Sequence, residues 1–301
     1  MIDEVIDFLV RTQNSDGGWG ATPDRQSNTE ATALAVVALT TWKASAPQAC
    51  IDRGVAWLLT AQKLDGSWPI RRDVDAPSWA TALAVLGLAP FETHRRRARE
   101  GARWLLGQRG RRLGWLASVL YRVAPTRMTV ELNPDLTAWS WTPDAFSWVE
   151  PTAYSLIALR SLNPVELESA SARIHEGEQL LYDRMSDGGG WNYGNPRAFG
   201  VWLPPYPETT ALALIALQNR RAATANELSL ARLVAMTGEL VSGLALSWAI
   251  LCLSIYAQPV TAWRRRLMRL FRRTGFLGET RTMALALLAL SDGPGPFHFT
   301  R

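Results

Sequence analysis

Three histidines and two cysteines in 301 residues leave little with which to hold a transition metal or build a disulfide framework. Cys50 and Cys252 lie far apart in apolar helical patterns, and His94, His175 and His298 are near neither. Neither a metal nor a cofactor is expected. Uninterrupted apolar runs of about 18 residues, the length that spans a bilayer, are missing. Met1-Ile2-Asp3-Glu4 is acidic where a secretory leader is basic. The expectation is a cytoplasmic protein, with peripheral contact to the inner membrane face left open.

What is present is an ordinary folded composition, 48% hydrophobic and 20% charged, with 14 tryptophans and a net charge of +5. The excess charge is clustered at Arg95-Arg96-Arg97, at Arg111-Arg112 and along Arg264–Arg273. In the last group arginines alternate with Leu267, Met268, Leu270 and Phe271, the pattern of a basic amphipathic helix. Two readings stand for it: the solvated outer helix of a packed ring, or a membrane-surface contact. No nucleic-acid motif accompanies the arginines, so a nucleic-acid partner is not expected.

One apolar phrase recurs. Thr32–Leu39, Thr81–Leu88, Thr152–Leu159, Thr210–Leu217 and Met283–Leu290 share a Thr-Ala-Leu-Ala-like register, apolar around the whole helical circumference. Helices of this kind are buried on every side. Two residues before the threonine stand Glu30, Glu150 and Glu208 in three copies, Trp79 in another, and Arg281 in the corresponding place of the last. A ring of buried helices with acids at its entrances predicts a cavity there.

Between the buried helices lie glycine and tryptophan turns: Gln13 to Trp19, Gln62 to Trp68, a stretched version from Gln108 to Gly114-Trp115, and Ser186 to Trp191 without the glutamine. The grammar predicts outer helices near 2–13, 48–63, 95–109, 171–185, 225–238 and 259–273. Inner helices are predicted near 28–42, 78–89, 151–162, 208–220, 241–256 and 280–291. An open solenoid of hairpins leaves one face of each pair wet, and these inner helices have no polar face. The expected architecture is therefore all-α, an (α/α)6 barrel in a single domain over 1–301. An aromatic-rich insertion at about 110–148 is expected to form a lid or wall over one mouth, and Asn192 to Pro207 is a second irregular stretch.

The Q-x-x-D-G-x-W turns followed by T-A-L-A-V-x-A-L helices resemble the Gln-Trp repeats of the terpene cyclase and prenyltransferase superfamily, above all squalene-hopene cyclases. The resemblance covers nearly the whole chain and implies a single toroid like one domain of a triterpene cyclase. Those enzymes begin with an Asp-x-Asp-Asp motif whose middle Asp protonates the substrate; aligning the following Thr-Ala places Trp148-Val149-Glu150-Pro151 there, with Glu150 at the donor position and neither flanking Asp. Asp73-Val74-Asp75-Ala76 lies about five residues too early. The Asp, Cys and His that hold zinc in prenyltransferase β subunits have no counterpart grouping, nor does the aspartate-rich magnesium motif of class I synthases.

Glu150, Glu208 and Glu30 are thus the candidate acids. Pro151 suits a first helical position, which would leave Glu150 at the cap, where free amides lower a carboxyl's pKa while aromatic burial raises it. The alternative is three separate ion pairs with arginines such as Arg281. Trp19, Trp68, Trp115 and Trp191 read as structural. Trp79, Trp139, Trp141, Trp148, Tyr154, Trp202, Tyr206 and Arg281 are the candidate substrate-binding residues, since aromatic faces hold polyenes and carbocations. Three functions remain open: a terpenoid-cyclase-like, metal-independent enzyme acting on a long isoprenoid; a non-catalytic isoprenoid or lipid binder, or the partner subunit or homodimer that completes such a site; and a carbohydrate-active (α/α)6 enzyme using paired glutamates.

Overall fold

The computed structural model describes residues 1–123, 130–162, 170–238, 241–292 and 295–299. Helices are numbered in chain order. The outer helices are α1 (Ile2–Arg11), α3 (Gln48–Ala61), α5 (Arg95–Gly107), α8 (Ala170–Asp183), α10 (Thr224–Thr237) and α12 (Thr261–Thr274). The inner ones are α2 (Thr29–Thr41), α4 (Ala80–Leu88), α7 (Val149–Ser161), α9 (Pro207–Ala216), α11 (Gly243–Ile255) and α13 (Thr280–Ala289). Each inner helix packs on the next in the order α2, α4, α7, α9, α11, α13, and α13 packs back on α2, so the ring closes. The fold is an all-α (α/α)6 toroid.

Composition explains the two classes. Every residue of α4 is buried, and α2 is buried from Ala31 to Leu39; a helix without a wet face is stable only inside such a ring. Helix starts are fixed locally: the Asn28 side chain accepts from the Ala31 amide at 2.8 Å and Ser242 from Ala245 at 3.3 Å. Outer helices bury one stripe, as with Val5, Ile6 and Leu9 of α1. In α12 the buried pair is Leu267 and Phe271, while Arg265, Arg269, Arg272 and Arg273 face solvent. Leu267 and Phe271 are spent on the barrel, while Met268 and Leu270 stay partly exposed between the arginines. Among the described residues no helix is long and apolar enough to cross a membrane.

The repeat tryptophans pin each turn. Trp19 donates from Nε1 to the Leu9 carbonyl at 2.7 Å and from its amide to Thr32 Oγ1 at 2.9 Å. Trp68 does the same with Leu58 and Thr81, and Trp191 with Leu181 and Thr210. In the third unit the residue making this pair of bonds is Trp139, to Leu105 and Thr152. This corrects two expectations. Trp115 is not a turn tryptophan but an exposed residue, 79% accessible, that starts the extra helix α6 (Trp115–Val123). Trp139 is not a ligand-facing residue but a buried structural one, with the Arg173 guanidinium 3.9 Å over its ring.

The extra segment continues into β1 (Val130–Glu131), which pairs antiparallel with β2 (Arg197–Ala198), itself paired with β3 (Val201–Trp202). The two irregular stretches thus join in one small sheet. Successive units are also stitched at the starts of the inner helices: Thr280 donates to Ala21, Thr29 to Ile70, Trp79 to Trp141 and Val149 to Tyr193. In each case the acceptor stands two residues after a repeat tryptophan, so the turns form a continuous collar around this mouth from α13 to α7.

Candidate functional site

The collar surrounds a rim. At equivalent register positions, in order around the ring, stand Glu30 on α2, Trp79 before α4, Glu150 on α7, Glu208 on α9, Leu244 on α11 and Arg281 on α13. All six are only partly buried on helices otherwise almost wholly enclosed, because each sits at the cap or in the first turn, where the helix leaves the core. The structure therefore brings the three glutamates and Arg281 to one mouth. Glu150 is not a cap: α7 is capped at Trp148, which puts Glu150 second and Pro151 third in the helix, inside the first turn where proline's missing N–H costs nothing.

The acids differ in their partners. Glu30 accepts from Arg281 Nη1 at 3.0 Å, and Arg281 also contacts Glu279. Burial raises the Glu30 carboxyl, with Arg281 opposing and Glu279 adding to the rise. Burial works to lower Arg281, but Glu30 and Glu279 outweigh it and hold the guanidinium charged. Glu208 accepts from the Tyr193 hydroxyl at 3.3 Å. Glu150 accepts no hydrogen bond from the described residues. Burial raises its carboxyl to about 7; Arg281, across the ring, opposes this, and Glu208 and Glu30 reinforce it. The alternative of three ion pairs thus holds for Glu30 alone.

Beneath the rim the aromatic residues form a chain. Trp141 meets Trp79 edge-on with centroids 5.0 Å apart, Trp79 meets Tyr154 at 5.3 Å, Tyr154 meets Trp248 at 6.0 Å, and Trp248 meets Phe297 at 5.3 Å. α7 and α11 are not neighbours in the ring, so the contact between Tyr154 and Trp248 crosses its interior. These side chains occupy much of the lumen that an open cavity would need. Tyr154 is 6% accessible. Burial, then Glu150 and Glu30, keep it neutral far above its ordinary range.

Of the other candidate aromatics, Trp148 caps α7 and packs over Gly194, where an added Cβ would come within 2.6 Å of its ring. Tyr206 caps α9 and pairs with Tyr193 at 5.2 Å. Trp202 lies outward on β3, half-exposed, under Arg197. Five residues of the site were absent from the sequence expectation: Tyr193, Leu244, Trp248, Glu279 and Phe297. Trp248 had a signal: it stands in the middle of the predicted inner helix 241–256, whereas Trp42 and Trp79 stand at the ends of theirs.

A groove of about 1360 Å³ lies elsewhere, at the opposite mouth, where the inner helices end. Its charged groups are tied to one another: Glu178 is held by Arg160, Asn219 and Arg220, and Arg221 meets His298. Residues 163–169 lie outside the described set. His175 also lines the groove and is exposed, but no carboxylate of the described residues stands free beside it, and the rim, with three glutamates at one level, is the stronger candidate. Among the described residues no cluster of His, Cys, Asp and Glu is arranged to hold a metal.

Residues 1–73 match the squalene-hopene cyclase C-terminal domain family. No curated protein matches the chain in sequence. Among solved structures, a protein from Actinoplanes shares the fold at TM-score 0.61 and 16% identity, over 96% of this chain and 97% of that one. Candida albicans protein geranylgeranyltransferase-I, complexed with GGPP, gives 0.50 at 13% identity, over 73% and 61%. An alpha-amylase from Clostridium perfringens gives 0.63 at 12% identity, over 96% and 97%. At these identities the likeness is one of fold.

Proposed function

Since the chain is squalene-hopene cyclase-like in its repeat and its toroid fold, we propose that its acid-rimmed mouth binds a long isoprenoid, with Glu150 as the proton donor. The observation that carries this reading is Glu150 itself, a carboxyl raised to about 7, without a hydrogen-bond donor among the described residues, one helical turn before Tyr154, whose ring meets Trp79. A group that is part protonated at neutral pH serves general acid chemistry. In the proposed step the Glu150 O–H proton passes to the π pair of a terminal alkene, or to an oxygen lone pair of an epoxide whose C–O bond then breaks with its electrons going to oxygen, and the resulting cation is attacked by the next double bond. Loss of a proton from the final cation restores the balance, so the conversion needs no oxidant or metal. Aromatic faces at the rim and the three carboxylates support positive charge.

One observation favours the binding-only reading: Tyr154, Trp248 and Phe297 stack through the lumen, leaving the rim and its collar as the place for a ligand. A carbohydrate substrate is less well supported, because below the rim the threonine hydroxyls are already engaged with turn backbone. The deciding experiment incubates the protein with squalene, its epoxide, and geranylgeranyl and farnesyl diphosphates, followed by gas chromatography and mass spectrometry. Cyclised product that disappears with Glu150→Gln supports the acid. Binding without product supports the carrier, and neither binding nor product sinks both.

A further inference from the structure

α6 presents its apolar face outward. Trp115, Leu116, Val119, Leu120 and Val123 are all exposed, and at 100° per residue they fall within an arc of about 140° on one side of the helix. Exposed clusters of this size on a folded chain mark an interaction surface. The same insertion supplies β1, and the β2–β3 hairpin paired with it exposes Phe199, Val201 and Trp202.

The charge around α6 identifies the occupant. Between Glu100 and Glu131 the sequence has no acid and six arginines. Arg111 and Arg112, just before the helix, are exposed; Arg111 lies 5.8 Å over Phe146, and Arg112 has no partner among the described residues. A protein partner of ordinary surface would meet this segment with mixed charge, whereas a tryptophan and four aliphatic side chains flanked only by cations match the interface of an anionic bilayer. α12, the basic helix that the sequence singled out, lacks this match, since Leu267 and Phe271 are buried in the toroid.

We propose that α6 docks the protein on an anionic lipid bilayer, its five apolar side chains entering the interface while Arg111 and Arg112 meet the headgroups. Bilayer binding is measured without any substrate, and it stands or falls apart from the reading of Glu150.

The test is flotation with vesicles of phosphatidylcholine, with and without phosphatidylglycerol. The expected result is capture by the anionic vesicles alone, weakened by high salt. Leu116→Asp with Leu120→Asp should reduce partitioning at least about tenfold, and Arg111→Ala with Arg112→Ala by about fivefold per arginine. Arg265→Glu with Arg272→Glu on α12 should cost no more than the general loss of charge. Both sites are at the surface, so unchanged circular dichroism and melting confirm that these variants fold. Three results overturn the proposal: no capture by anionic vesicles, capture lost through α12 and not α6, or self-association without lipid that the Leu116 and Leu120 changes abolish.

Discussion

Glu150 costs the fold stability, and that cost is measurable. Its carboxyl is near 7 in the folded protein against 4.5 for a solvated glutamate. The folded state therefore holds the proton more tightly than the unfolded state does. Below about pH 4.5 both states are protonated and no penalty exists; as pH rises through 7 the penalty grows to on the order of 3 kcal/mol. Glu150→Gln should accordingly stabilise the protein at pH 8 by up to about that amount and leave it nearly unchanged at pH 4, read from urea midpoints. Equal effects at both pH values would mean that Glu150 is solvated or paired. A residue kept at a cost is what a working site requires. Arg281→Gln gives the complementary change: it strips Glu30 of its partner and removes the charge opposing Glu150's rise, so the Glu150 midpoint, followed by carbon-13 NMR of the carboxyl, should move upward.

At the scale of the element, the third turn is the sharpest case. Trp139 occupies the same place as Trp19 and Trp68, thirteen residues before the threonine whose hydroxyl accepts its amide. It also shares a second mark: each ring lies against a glycine on the next outer helix, Gly54 for Trp19, Gly101 for Trp68 and Gly177 for Trp139, where an added Cβ would come within 2.7 to 2.8 Å of it. Trp139→Ala should cost about 3 to 5 kcal/mol, whereas Trp115→Ala on exposed α6 should fall within about 0.5 kcal/mol. Comparable losses for the two would restore Trp115 to the repeat. Reading forward from Gln108 to the nearest Gly-Trp misplaced this residue; reading backward from Thr152 by the fixed spacing finds it. The helices themselves were legible nearly to their ends, since an inner helix with no polar face has only one place to go. The rim acids were legible too, because register alone stacks them at one level. The chain of Tyr154, Trp248 and Phe297 was not, for it joins non-adjacent helices and a terminal segment, and no local periodicity encodes contacts across a ring.

A closed ring distributes stability differently from an open stack of hairpins. In a solenoid each unit meets only its neighbours and the ends fray; here α13 packs on α2, with Trp42 Nε1 donating to the Leu287 carbonyl at 3.1 Å and Thr280 to Ala21 at 2.8 Å across the closure. The lumen adds a second closure. Phe297 is buried against Trp248, and its backbone is held by Gln218, whose amide nitrogen donates to the Phe297 carbonyl at 2.7 Å and whose oxygen accepts from the Phe299 amide at 3.0 Å. Phe297→Ala removes the far end of the aromatic chain and should cost about 3 to 5 kcal/mol. Because every inner helix borders the same lumen, the loss should lower one midpoint for the whole molecule. Tryptophan fluorescence and far-ultraviolet circular dichroism should then give coincident urea transitions in both parent and variant. A variant whose fluorescence transition precedes its helix transition would instead show that the aromatic chain melts by itself and that the ring is held by its outer helices.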